Sequence, residues 1–338
     1  MEPASREVVP STPAAARDAE PVHPDGRHGL RHSAAVVSAR QEFLDVAVGF
    51  LDEGLRAADL TVLALSPERA EEITGTLGER AGAVETDTRL CLLGVRAPDG
   101  LAAARRLAER AAATGSGRLR ILAEPQFGVG ASATRESERY EAATNAVLAG
   151  APVTALCVYD RAVFPAAVLR SVVATHPFLL ADGEQRANPR FQDPRGFLRR
   201  LPIPREPVES GVPVFAIDAA PVLPALRHAV KAVFDECVPD EEQRADLYLA
   251  VSEVAANAFR HGGRPVSARI WTDSRRIVCT VTDGGSRFDD PLAGFVPAHG
   301  DDLALGGMGL WLARKLWDSV DLVLGRQGFT VRLATDLR

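Results

Sequence analysis

Three polar residues, Glu253, Asn257 and His261, recur every four positions in the run LAVSEVAANAFRHGG. At about 100° per residue this spacing lines them up on one side of a helix, roughly a quarter turn from the apolar stripe Leu247, Val251, Val254 and Ala258. Asparagine competes for backbone hydrogen bonds inside a helix, so placing one there has a cost. A hard cation such as Mg2+ takes oxygen ligands and keeps its waters, so one amide oxygen beside phosphate oxygens suffices. A carboxylate one turn away can orient or deprotonate an attacking hydroxyl or water. The plain alternative is a solvated polar face ending in a histidine.

Two glycine turns follow. Asp283 ends the apolar-alternating run RIVCTVTD and is followed at once by Gly284 and Gly285. A carboxylate at a strand end can accept from an exocyclic amine such as that of adenine, and glycines let a flat ring approach the backbone. Gly306, Gly307 and Gly309, with Met308 among them, precede the helical run LWLARKLWD. Glycines before a helix expose backbone N–H groups and the positive end of its dipole, which suits phosphate. The segment 287–305 between the two turns is of mixed character and could act as a lid. Singly, each turn also reads as an ordinary loop.

The elements that must hold these groups fall at 213–338. VPVFAID reads as a strand, LPALRHAVKAVFDECV and DEEQRADLYLAVSEVAANAFRHG as helices, and VSARIWTD with RIVCTVTD as a hairpin. The helix GLWLARKLWDSV and the strands VDLVLG and FTVRLAT complete an expected α+β sandwich, helices on one face of a mostly antiparallel sheet. Upstream, residues 33–58 carry apolar positions at helical spacing. Short apolar runs at 60–65, 89–95, 119–125 and 153–160 alternate with alanine-rich helical stretches at 100–114 and 134–149. That alternation predicts an α/β domain on a parallel sheet over about 28–182. Residues 183–212 hold five prolines and many charges and read as a linker that could pack on its neighbour. Residues 1–27 read as a disordered tail.

A length of 338 residues fits two such domains, and a net charge of −6 argues against nonspecific binding to nucleic acid or anionic membrane. No apolar run approaches the ~20 residues of a membrane span. Cys91, Cys157, Cys237 and Cys279 lack CxxC or Cys/His ligand spacing, so neither a disulfide framework nor a structural zinc site is expected, and a reducing cytoplasm fits.

Taken together, E-x3-N-x3-H, D-x-G and G-x-G-L in this order resemble the GHKL ATPases of the Bergerat fold. Within that family, the short lid and the GGMGLWLARKLWD ending over 213–338 are similar to anti-sigma regulatory factors, the RsbW-type serine/threonine kinases. The resemblance implies that Asn257 holds Mg2+ and Glu253 is the catalytic carboxylate. It implies that Asp283 reads adenine over Gly285, that Gly307, Met308 and Gly309 border the ATP phosphates, and that Thr330 supports the adenine contact. It further implies a sigma factor and a STAS-domain anti-anti-sigma factor as partners, and a homodimer. One departure is Arg287, which stands where the family has the last glycine of D-x-G-x-G; the loop bends differently there or Arg287 reaches the nucleotide. His261 could do no more than shape the pocket wall.

The upstream half has no phosphate-binding glycine loop, since SPERAEE follows LTVLAL. Its stretches RHSAAVVSARQEFLDVAVGFLDEGL, SERYEAATNAVL, PVTALCVYDRAVFPAAVL and THPFLLADGEQRANPRF resemble the MEDS (DcmR-like) sensory domain, which implies a RecA-like fold and a signalling role. His32, Glu141, Cys157, Tyr159, Asp160 and His176 recur in that pattern. A core role is the expectation for each, with a small-ligand site at His32 and His176 as the alternative. Two other readings of the whole chain stay open: a non-catalytic nucleotide-dependent binding switch, and a sensor histidine kinase. The second is poorly served, because His228 has Ala229 after it and no second hairpin helix accompanies it.

Overall fold

The computed structural model describes residues 29–338 except 129, 182, 287, 289 and 299–307. The tail at 1–27 and the positions Arg287, Gly306 and Gly307 lie outside the described residues.

The N-terminal domain alternates strand and helix: β1 (Arg31–Val37), α1 (Arg40–Arg56), β2 (Leu60–Ala64), α2 (Pro67–Leu77), β3 (Val84–Thr86), α3 (Ala97–Ala111), β4 (Leu119–Ala123), α4 (Ala131–Val147), β5 (Val153–Asp160), α5 (Ala166–Thr175), β6 (Phe178–Ala181) and β7 (Glu184–Ala187). The sheet order is β3-β2-β4-β5-β1-β6-β7, parallel throughout except for the last pair. Because strand side chains alternate, the two faces bury different sets. Ala35, Val37, Leu63, Leu122, Leu156 and Val158 meet α1 and α2 through Phe43, Ala47, Leu51 and Ile73. Ala34, Val62, Ile121, Ala155, Cys157 and Tyr159 meet α3 and α5 through Ala104, Leu107, Val168 and Val172.

Two expectations are corrected here. The helical reading of 33–58 merges two elements: residues up to Val37 form β1 at the middle of the sheet, and the helix begins only at Arg40. An apolar run of that length fits either period, and pairing with β5 and β6 decides it. The run at 89–95 is not a strand but a 3-10 turn, Thr88–Cys91, closed by Leu92 at φ 61°. The sheet position goes instead to the polar VET of β3. The proline-rich segment at 183–212 is also ordered in part, since β7 extends the first sheet and α6 (Pro194–Arg200) packs Phe197 and Leu198 against Ala142 and Ala174.

The C-terminal half holds β8 (Phe215–Ile217), α7 (Leu223–Cys237), α8 (Glu241–His261), β9 (Val266–Thr272), β10 (Arg276–Asp283), α9 (Gly309–Leu316), β11 (Ser319–Gly325) and β12 (Gly328–Asp336). Its antiparallel sheet runs β11-β12-β10-β9-β8. One face packs on the three helices through Ile270, Ile277, Cys279, Val281, Val331 and Leu333, with Phe234, Leu247, Val251 and Trp317 opposite. Val208, from the segment between the domains, covers Trp271, Val278 and Ala334 on the other face.

The two halves are docked. Arg135 and Arg139 of α4 reach Asp321 of β11 at 3.1 and 2.6 Å, and Arg332 of β12 holds the same carboxylate at 2.6 Å. Arg96 pairs with Asp318 at 2.6 Å and Lys315 with Asp99 at 2.8 Å. Among the described residues, no helix is long and apolar enough to cross a membrane.

Candidate active site

α8 begins where Asp240 accepts the Gln243 amide at 2.7 Å, with Glu241 and Glu242 in the first turn and Arg260 and His261 in the last, both favourable to the helix dipole. Leu247, Val251, Val254 and Ala258 are buried, as the period requires. Glu253 and Asn257 lie half-buried at the border of that stripe, whereas His261 is exposed on the final residue of the helix. Glu253 keeps about a third of its side chain in solvent, and its charged neighbour is Arg227 of α7, with Nη2 3.8 Å from Oε1. Arg227 also donates to the Ser252 carbonyl at 3.3 Å.

Asp283 points to the helix side of the sheet from the last position of β10 and is 6% exposed. Its Oδ1 accepts from Gly285 N at 2.7 Å and from Gly263 N at 3.2 Å. Gly284 N donates to Gly263 O at 2.7 Å, so the end of α8 and the end of β10 are tied together around the carboxylate. A Cβ on Gly285 would stand 2.6 Å from Asp283 Oδ1. Glycine there is needed for the loop to fold back on the acid, a local role besides any approach of a ring.

The third motif meets the first. Gly309, the opening residue of α9, is buried, and a Cβ on it would stand 2.6 Å from Asn257 Nδ2 and 3.3 Å from Glu253 Cβ. Only a residue without a side chain lets the start of α9 rest on the Glu253–Asn257 line. Met308 is the N-cap residue, half-buried, at φ −84°. The structure thus brings Glu253, Asn257 and Gly309 into contact. Asp283 and Gly285 are at the opposite end of the last turns of α8.

Thr330 is not brought to that side. On β12 it pairs with Thr282, and the two hydroxyls are 2.8 Å apart. Alternation puts both on the sheet face opposite to Asp283, above a cleft lined by Arg205, Trp271, Thr280 and Arg332. The apolar positions Val331 and Leu333 of the same strand take the helix side, which turns Thr330 away from it. Sequence reasoning also passed over Arg227, half-buried on α7 beside the exposed His228, and Gly262–Gly263, which directly follow His261 in the motif run.

The described part of the lid segment does not stand free. Leu292 and Phe295 pack with Ala97, Leu101, Tyr140 and Ala143 of the N-terminal domain, and Phe295 is 1% exposed. Arg314 of α9 lies over the Phe295 ring at 4.2 Å and donates to Ala293 O at 2.9 Å. Burial pulls the Arg314 guanidinium down to about 10, against the opposing pull of Glu136 on α4.

Of the residues singled out in the upstream half, His32, Glu141, Cys157 and His176 come together in the interior, with Tyr159 edge-on to His176. Asp160 stands apart and caps a turn by accepting Ala162 N at 2.8 Å.

Residues 31–177 match the family model of MEDS, the methanogen/methylotroph DcmR sensory domain, and residues 216–335 match that of the histidine kinase-like ATPase domain. The serine-protein kinase RsbW of Bacillus pumilus is 34% identical over 105 residues, 27% of this chain. The chain spans 64% of that kinase's length. A MEDS domain is therefore joined in this chain to a histidine kinase-like ATPase domain that is similar to RsbW.

Proposed function

We propose that the chain is an ATP–Mg2+-dependent serine/threonine kinase and anti-sigma factor. In this reading it phosphorylates a STAS-domain anti-anti-sigma factor, sequesters a sigma factor in the cytoplasm, and is regulated by its MEDS domain. On the same reading the C-terminal half is a Bergerat-type sandwich and the N-terminal half is RecA-like. The observation that carries it is the seat of Gly309 against Asn257 and Glu253, which joins a helix N-terminus to a carboxylate and an amide.

The residues fit such a ligand. A backbone cradle that a Cβ would fill lies beside the Asn257 side-chain amide, and one oxygen of Asp283 is fixed by two amides. Bound ATP–Mg2+ would supply an activated phosphoryl group and the cation that neutralises it. Asn257 would offer its amide to the cation. The amides at the start of α9, Gly309 among them with Met308 at the cap and Gly307 before it, would face the phosphates. Asp283 would accept from the exocyclic amine above Gly285. Glu253 would take the proton from the attacking hydroxyl at a carboxylate oxygen, and Arg227, loosely paired with it, would hold that oxygen in place. His261 forms at most an outer wall, and Thr330 supports Asp283 only through the strand, by way of Thr282.

The lid contact suggests how the N-terminal domain acts on this site. Phe295 is anchored in the first domain while Arg314 of α9 lies over its ring and holds Ala293 O, so a change in α3 or α4 would be felt at α9. A binding switch without phosphoryl transfer is the second reading, favoured by Arg287 where the family has glycine.

Calorimetry with Asn257→Ala in the full chain provides the test, together with a phosphoryl-transfer assay on a STAS protein. Loss of Mg2+-dependent ATP binding and of transfer is expected. Unchanged nucleotide affinity would sink the pocket assignment. A wild-type chain that captures the sigma factor yet never transfers phosphate would leave the binding switch.

A further inference from the structure

A second constellation lies in the N-terminal domain, and phosphoryl transfer has no use for it. His32 stands on β1, Cys157 on the neighbouring β5, Glu141 on α4, and His176 just past α5. One donor atom from each lies within 4.8 Å of all the others. His32 Nε2 is 3.3 Å from Glu141 Oε2 and 3.4 Å from Cys157 Sγ, and His176 Nε2 is 3.4 Å from Glu141 Oε2. The four residues are 1%, 3%, 6% and 0% exposed, in the order His32, Glu141, Cys157, His176.

Their neighbours fix which atoms face inward. His176 Nδ1 lies 2.8 Å from the Val172 carbonyl oxygen, which can only accept, so Nδ1 carries the hydrogen and Nε2 presents a lone pair. That buried Nε2 has no hydrogen-bond partner: Glu141 Oε2 is in ion-pair range but not in hydrogen-bonding geometry. His32 Nδ1 faces Asn145 Oδ1 at 3.2 Å. The Asn145 amide nitrogen is engaged by Glu141 O at 3.0 Å and Thr175 O at 2.7 Å, so Oδ1 is the acceptor, the hydrogen is on His32 Nδ1, and the neutral ring turns a lone pair inward. Two nitrogen lone pairs, a carboxylate oxygen and a sulfur therefore converge in a dry interior. One proton satisfies at most one of those edges, whereas a cation at the centre satisfies them all.

The dimensions agree with that. Zinc bonds of about 2.0–2.2 Å to nitrogen and oxygen and about 2.3 Å to sulfur give tetrahedral ligand–ligand edges of roughly 3.3–3.6 Å. Three of the six edges, at 3.3–3.4 Å, fall within that range, and the other three are no longer than 4.8 Å. Imidazoles whose outer N–H is held by a carbonyl or amide oxygen are the usual ligand arrangement, since the outer bond fixes tautomer and ring direction.

We propose that His32, Glu141, Cys157 and His176 form a buried tetrahedral site for a borderline divalent cation of the zinc class. The four donors leave no open coordination position, so the site holds structure and does not activate water. Binding replaces the Cys157 thiol proton, which goes to solvent, and the sulfur coordinates as thiolate. The ion ties α4 to β1, β5 and the end of α5. Because α4 also carries Arg135, Glu136 and Arg139 onto the C-terminal domain, occupancy is transmitted to the docking face.

Metal analysis of the full chain, purified under reducing conditions, is the first measurement, and about one zinc-class ion per chain is expected. The chelator-stripped wild-type chain should take up Co2+ and develop a thiolate-to-cobalt charge-transfer band. Cys157→Ser should lose that band, and His176→Gln should lose stoichiometric metal. A wild-type chain that neither carries metal nor takes up Zn2+ or Co2+ overturns the proposal, as does an unchanged cobalt band in Cys157→Ser. The wild-type spectrum decides the matter even if a variant fails to fold.

Discussion

Two carboxylates on the C-terminal domain, Glu253 and Asp321, sit in opposite circumstances. Glu253 keeps about a third of its side chain in water and meets one cation loosely, at 3.8 Å. Asp321 is 1% exposed and is held by Arg135, Arg139 and Arg332 at 2.6–3.1 Å. Burial alone would raise the Asp321 pKa, but the Arg139, Arg135 and Arg332 guanidiniums outweigh it and hold the carboxyl at about 2. A group that must give and take a proton has to stay accessible and weakly bound, whereas a group that joins two domains works by being saturated. The pocket side of this domain is therefore left incomplete by its own side chains, and the docking side is closed.

Substitution separates the two sides. The largest effect is expected from Glu253→Gln: phosphoryl transfer should fall by about 10²–10⁴-fold with the thermal midpoint unchanged. A transfer rate within a few-fold of wild type would remove Glu253 from the chemistry. Asp321→Ala should do the reverse and cost about 3 kcal/mol in denaturant unfolding, because three buried guanidiniums lose the carboxylate they share and keep only Glu206, Glu136 and Glu209, one apiece. An unfolding midpoint close to wild type would mean that the closed side does not hold the domains. The same contrast has a pH form. A carboxylate whose folded pKa is depressed contributes its stability above its unfolded value, about 3.9, and loses it as pH falls toward the folded one. Docking through Asp321 should thus weaken between about pH 4 and pH 2, read as a drop in the midpoint of a pH-dependent melt. Phe295→Ala is the smallest of the set, about 1–3 kcal/mol, since it removes one anchor from a loop. Faster amide exchange over 290–298 and an altered ATP affinity are expected; an unaltered affinity would uncouple the lid from the first domain.

How much of this is legible in the chain depends on the range of the interaction that fixes it. The α8 line is local: a period of 3.6 residues puts Glu253 and Asn257 beside the Leu247–Val251–Val254 stripe, and the structure keeps them there. The inward aim of Asp283 follows from strand alternation, since it shares parity with Ile277, Cys279 and Val281. Thr330 obeys the same alternation, with parity opposite to Val331 and Leu333, so its outward face is legible in FTVRLAT and the motif match misplaces it relative to the pocket. The run HSAAVV has no period to tell strand from helix, and β5 and β6 settle it by enclosing it. VDLVLG reads correctly as a strand. Nothing in those six letters says that Asp321 will meet arginines more than 180 residues away.

The sequence by itself determined the periodic elements, the order of the glycine turns and the polar residues that interrupt the apolar stripes, because these rest on backbone geometry over a few residues. Tertiary structure alone decided that Gly309 rests on Asn257, that Phe295 is held by the other domain, and that His32, Glu141, Cys157 and His176 face one another. Those contacts join side chains far apart in the chain, and only the packing of whole sheets and helices fixes the distances between them.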